Sequence, residues 1–105
     1  MSKFIESLCI MSAAFKINDI NKKYIDFTVK TMINNQERMM KFRLTLACDR
    51  KGETFPFNVT TLGEKFLIAV SDEEADFRMN MSRYRDELFE RLKEENGVRF
   101  PLLFQ

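Results

Sequence analysis

Apolar and polar residues alternate through the middle third of the chain, and the alternation recurs in three separated runs. Ile25, Phe27, Val29 and Ile33 are interleaved with Asp26, Thr28 and Lys30, with Thr31 the one polar residue in the apolar phase. A second run places Met40, Phe42, Leu44, Leu46 and Cys48 between Lys41, Arg43, Thr45 and Ala47, and a third places Phe55, Phe57 and Val59 around Pro56 and Asn58. A period of two marks strands with one buried face.

The connections set the pairing. Asn34-Asn35 suits a two-residue hairpin turn, because asparagine tolerates positive φ at modest cost. Closing the chain there sets Ile33 against Gln36, Val29 against Met40, Phe27 against Phe42 and Ile25 against Leu44. Asp49-Arg50-Lys51-Gly52 carries Asp and Gly at the first and fourth positions of a type I turn. Closing there sets Leu46 against Phe55, Leu44 against Phe57 and Phe42 against Val59. Both turns sort the apolar side chains onto one side, so the expected core of the fold is an antiparallel meander with its second strand central. Pro56 lacks an N–H and belongs on an edge.

A sheet with one apolar face needs a cover. Tyr84, Leu88, Phe89 and Leu92 recur at helical spacing ahead of Asn96-Gly97, a helix stop, which predicts a helix from about residue 82 to 95. Phe4, Leu8, Met11 and Phe15 have the same spacing and predict a second helix from about 3 to 14, with a strand beginning at Phe15 and Ile17 as the alternative. Ser71 and Glu74 resemble a capping box, but Phe77, Met79 and Met81 alternate, so 71–76 is read as an acidic loop followed by a short strand. Leu62, Phe66, Leu67 and Val70 form a helical stripe and predict a short helix over 60–70, with a buried strand over 66–70 as the alternative; Val98, Phe100, Leu102 and Phe104 alternate in the tail. The expected fold class is α+β: an antiparallel meander of three to four strands with helices packed on one face, forming a single domain over residues 1–105.

Composition narrows the function more by exclusion than by pointing. The 105 residues suffice for one core without disulfides. No stretch approaches the ~20 consecutive apolar residues of a membrane helix, and Glu6 interrupts the apolar N-terminal run that would otherwise resemble an export signal; the expected location is the cytoplasm. Cys9 and Cys48 are too few for a disulfide framework, and Cys48, in phase with the apolar residues of its strand, is expected in the core. The net charge of +1 hides an uneven split. Through residue 65 there are 11 Lys/Arg and 7 Asp/Glu, and over 71–95 there are 5 and 9. Such halves attract each other, and a dedicated nucleic-acid binder would not ordinarily carry the acidic one.

The chain has no histidine, which removes the commonest general base and transition-metal ligand. No metal site, cofactor or catalytic set is expected, and the chain is read as a non-enzyme. Asp72, Glu73, Glu74 and Asp76 lack the spacing of a calcium loop and are expected as solvated surface. The polar side of the meander is the candidate binding surface. Register places Asp26 opposite Arg43, Thr28 opposite Lys41 and Lys30 opposite Met39, with Tyr24 across from Thr45. Tyr24, Lys30, Met39, Lys41 and Arg43 are therefore the expected binding residues. Met32 and Met39, in phase with the polar face, hint at a protein partner or a subunit contact, since methionine adapts to irregular partners. The expected role is a small binding module acting on a protein partner or on itself. The alternatives are a nucleic-acid platform on the basic stripe, which holds a single aromatic, and a small-ligand pocket between sheet and helices.

Overall fold

In the computed structural model, which describes residues 2–63 and 70–96, the Asn34-Asn35 turn sets the register expected of it. Strands β2 (Lys23–Ile33) and β3 (Gln36–Cys48) pair antiparallel from Ile33–Gln36 through Val29–Met40, Phe27–Phe42 and Ile25–Leu44 to Lys23–Leu46. Both asparagines sit at positive φ, 51° and 63°, the geometry of a two-residue hairpin whose twist matches that of the strands. With β1 (Cys9–Ile17) and β4 (Thr54–Leu62) they form a four-stranded antiparallel sheet in the order β1-β2-β3-β4.

The first strand replaces most of the helix expected over 3–14. Only Lys3–Ser7 is helical (α1), capped by Ser2, whose hydroxyl accepts from the Ile5 N–H. Leu8 then turns extended, and Cys9–Ile17 pairs with β2 through Ile10–Val29, Ala13–Phe27 and Phe15–Ile25, with a bulge at Met11. The helical spacing of Leu8, Met11 and Phe15 is accidental. Ile10, Ala13 and Phe15 are the residues packed on the core, and the bulge resets the phase between the first and the other two.

The β1–β2 and β3–β4 loops share one local design. The side-chain oxygen of Asn18 accepts from Ile20 N and Lys22 N, and that of Asp49 accepts from Lys51 N and Glu53 N. The strand-end pairs Asn18–Lys22 and Asp49–Glu53 are closed by backbone hydrogen bonds, and Asn21 and Gly52 take positive φ at 62° and 83°. Each loop thus holds three residues rather than two, the last of them left-handed.

That extra residue shifts the third expected strand. Leu46 pairs with Pro56 instead of Phe55, and a further bulge at Phe57 restores the phase so that Leu44 meets Val59 and Phe42 meets Thr61. Phe57 is displaced from the apolar face and lies 60% exposed. Cys48, expected in the core, is at the sheet end and exposed, as is Cys9. Pro56 lies on an edge strand as its missing N–H requires.

The cover is two helices, α2 (Asp72–Arg83) and α3 (Arg85–Asn96), together with α1. The acidic loop and short strand expected over 71–81 are one helix, begun by the capping geometry: the Ser71 hydroxyl accepts from Glu74 N at 3.2 Å, with Asp72, Glu73 and Glu74 in the first turn complementing the helix dipole. Phe77 and Met81, four residues apart, pack on the core, and Met79 between them is exposed; the apparent alternation was half of a helical period. The helix expected over 60–70 is overturned where it is described, since Thr60–Leu62 extends β4; its remainder and the alternating tail over 98–104 fall outside the described residues.

The core lies between the helices and one face of the sheet. Ile25, Phe27, Val29, Met40, Phe42 and Leu44 face Ile5, Met81, Leu88 and Leu92, all buried. Rings run through this layer, Phe27 stacked on Phe42 at 5.7 Å, Phe42 to Phe77 at 6.1 Å, and Phe77 edge-on to Phe4 at 5.5 Å. Among the described residues no helix is long and apolar enough to cross a membrane.

The acidic stretch does not stay in solvent. Glu74 is 4% exposed and holds Arg38 of β3 on one carboxylate oxygen and Arg78 of its own helix on the other, the latter at 2.7 Å. Beside it, Glu73 accepts from the Asn34 N–H at 2.7 Å. The first turn of α2 is thus pinned to the β2–β3 hairpin by two carboxylates.

Candidate binding face

All the helices pack on one face of the sheet, so the outward set of side chains has no layer over it among the described residues. Alternation delivers Tyr24, Asp26, Thr28, Lys30 and Met32 from β2 and Met39, Lys41, Arg43 and Thr45 from β3 to that side, opposite the buried phase of both strands. The five residues expected to bind, Tyr24, Lys30, Met39, Lys41 and Arg43, therefore share one surface on two adjacent central strands.

The cations on that surface are unequal. Arg43 grips Asp26 with two hydrogen bonds, Nε at 2.8 Å and Nη2 at 3.1 Å, and its guanidinium lies 4.0 Å from the centre of the Tyr24 ring. Lys16 of β1 approaches the same carboxylate at 3.5 Å. Burial pushes the Asp26 carboxyl up, but hydrogen bonds and charge from Arg43 and then Lys16 outweigh it and hold the group below its ordinary 3.8. Arg43 is held charged, chiefly by its hydrogen bond to Asp26. Lys30 reaches diagonally to Glu37 at 2.7 Å. Lys41 makes no ion pair among the described residues; it borders a shallow trough of about 380 Å³ floored by Ser12, Ala14 and Thr28, with Lys16 on its rim. Arg43 and Tyr24 are thus spent largely on each other and on Asp26, and Lys30 on Glu37, whereas Lys41 faces outward.

A folded pKa below the unfolded one adds stability above the unfolded value and loses it as pH falls through the folded value. Asp26→Asn should accordingly cost about 0.5–1 kcal/mol at neutral pH, the range of a cross-strand pair on a wet face. The difference from wild type should narrow as urea denaturation is repeated at successively lower pH, as the folded-state carboxylate takes up its proton and loses the charge that sets it apart from the amide. A gap that survived in acid would mean that the carboxylate's charge is not what matters.

The apolar residues of this face are its less ordinary feature. Met39 is 60% and Met32 57% exposed, diagonal neighbours across the β2–β3 ladder. At the other end, Phe57 overhangs a half-open cleft of about 440 Å³ lined with Thr45, Ala47, Cys48 and the Lys22-Lys23 turn. At the outer strand Met11 is exposed, and the Cys9 thiol donates to its sulfur at 3.6 Å. Lys16, Met11, Ser12 and Ala14 were invisible as surface residues while 3–14 read as a helix. Phe57 was hidden by the register that buried it, although Gly52 ahead of it is the residue a three-residue loop requires. No group of three or more Cys, Asp or Glu side chains is gathered in a way that could hold a metal ion among the described residues. The arrangement offers contact area, thioethers and ammonium groups.

Comparison of the chain with models of known protein families, with curated proteins and with solved structures finds no match in any of the three.

Proposed function

We propose that this chain is a non-catalytic interaction module that docks a protein partner on the outer face of its sheet. The observation that carries the reading is the pair Met32 and Met39, more than half exposed in the ladder between two central strands. Aliphatic side chains standing singly on a surface need no explanation, but neighbouring methionines on an uncovered sheet face do. Their flexible, polarizable side chains fit an irregular apolar surface. Lys30 beside them is paired with Glu37, and Lys41 one step further along adds positive charge, so the fitting partner presents aliphatic or aromatic side chains with a carboxylate placed to meet Lys41. The neutralisation of Arg43 by Asp26, and the covering of one Tyr24 face by that guanidinium, favour this partner over a single-stranded nucleic acid, which needs open rings and free cations.

The double variant Met32→Lys/Met39→Lys separates the two partners. Both positions are exposed, so the fold should be unchanged to within about 0.5 kcal/mol. Affinity capture from lysate of the source cells should recover a protein with the wild-type chain and lose it with the variant. Oligonucleotide titration at low salt should be flat for both. Equal capture by wild type and variant, or oligonucleotide binding that tightens in the variant and weakens with salt, would overturn the reading.

A further inference from the structure

The two edges of the sheet are built differently. β4 carries Pro56 and the Phe57 bulge, has α2 and α3 against it, and its Val59 carbonyl accepts from the Ser82 hydroxyl. These are the ordinary devices that stop an edge from pairing with another chain. β1 is the opposite edge. It has no proline, no glycine and one charge, Lys16, and past the bulge at Met11 its ladder from Ser12 to Ile17 is regular. A strand of this kind is a template for another strand.

We propose that β1 pairs antiparallel with β1 of a second copy across a two-fold axis at Ala14, joining two sheets into one of eight strands. A two-fold axis makes identical strands antiparallel and brings like faces together, so both helical layers lie on the same side. With the axis at Ala14, Ser12 faces Lys16 of the twin, Ala13 faces Phe15, and Ala14 faces itself. Large stands against small on the inner side and hydroxyl against ammonium on the outer. The two Lys16 residues are then four positions apart, about 13 Å along the strands, beyond the ~8 Å screening length at physiological salt, and each has its own Asp26 at 3.5 Å. The bulge at Met11 ends the regular pairing on each side. The trough floored by Ser12, Ala14 and Thr28 borders this edge. The inference concerns an edge and does not draw on the docking role of Met32 and Met39.

Sedimentation velocity between about 1 and 200 µM should show a species of twice the 12.5 kDa chain mass growing with concentration. Ala14 is exposed and points away from the helices, so Ala14→Lys should keep the circular dichroism spectrum and, at concentrations where the wild-type chain is monomeric, the melting temperature. It sets two ammonium groups face to face at the axis, and the dissociation constant should rise about tenfold or more. In a Cys9→Ser/Cys48→Ser background, Ala14→Cys should cross-link to a dimer with a short bis-maleimide, whereas Thr60→Cys on the opposite edge should not. A monomer throughout the concentration range would overturn the proposal. So would a dimer that Ala14→Lys leaves intact, or Thr60→Cys cross-linking as readily as Ala14→Cys.

Discussion

Phe42→Ala should cost about 3–5 kcal/mol, the usual toll of removing a buried ring and leaving the space unfilled. Phe42 is 1% exposed at the centre of the central strand. It stacks on Phe27 within the sheet and touches Phe77 of α2, which in turn meets Phe4 of α1. Its loss therefore opens a path of rings that joins the sheet to two helices, and little nearby can collapse into the gap, because Ile25, Leu44 and Met81 are held by the same layers. Against a total stability of ~5–15 kcal/mol for a domain of this size, the melting temperature should fall by roughly 15 °C or more. Phe57→Ala is the internal control. The same truncation at a side chain 60% exposed should change stability by about 0.5 kcal/mol or less. Equal effects from the two substitutions, measured by urea or thermal denaturation, would mean that the layering described above is wrong.

Glu74→Ala should be the most damaging change to a polar group. Glu74 is the buried polar residue of the described chain, and both its oxygens are committed, one to Arg38 and one to Arg78. Removing it takes away the carboxylate that lies between two guanidinium groups, side chains 37% and 25% exposed, and leaves the two positive charges close together. Breaking a fully buried pair costs about 3–5 kcal/mol; the partial exposure of both arginines lowers the expectation to about 2–3 kcal/mol. The cost lies mainly in the repulsion between the two neighbouring positive charges rather than in the pair itself. Arg38→Met/Glu74→Met/Arg78→Met, which removes all three, should therefore recover most of the loss. If the triple variant proved no more stable than Glu74→Ala, the carboxylate would have to act through its position at the first turn of α2, beside the Ser71 cap and the Glu73 contact to Asn34.

Both predictions rest on contacts of different visibility in the chain itself. Phe42 was readable, because it stands in the apolar phase of a long alternating run whose partner is fixed by a two-residue turn. The β2–β3 register, and with it the assignment of Tyr24, Lys30, Met39, Lys41 and Arg43 to a common face, follows from that turn alone. Glu74 was not readable. A run of four acidic residues looks solvated, and only the packing of α2 on the hairpin brings Arg38, an arginine in the inward phase of β3, under it. Helix α2 itself was obscured because Phe77, Met79 and Met81 alternate over five residues, too short a window to separate a period of two from a period of 3.6. The cap at Ser71 was the better local signal.

The open face divides along the same line. Its central stripe was legible, but its margins were not. Lys16, Ser12 and Ala14 reached the surface only once Cys9–Ile17 proved to be a strand, and Phe57 only once the Asp49 loop proved to hold three residues. One residue more in a loop reverses which side of the sheet every following side chain occupies, and the bulge at Phe57 is where β4 returns to phase.

Local chemistry in the sequence determined the elements whose geometry closes over short distances: the Asn34-Asn35 hairpin, the alternation on either side of it, the helix through Leu88 and Leu92, and the proline that fits only an edge. Each depends on sterics or hydrogen bonds within a few residues. Tertiary structure decided which apolar stripes were buried, which strands became the edges of the sheet, where Glu74 found its arginines and which face has no layer over it among the described residues. Those outcomes depend on how layers pack and on where bulges reset the phase, and a side chain's burial is fixed by the neighbours that folding brings to it, some of them more than thirty positions away along the chain.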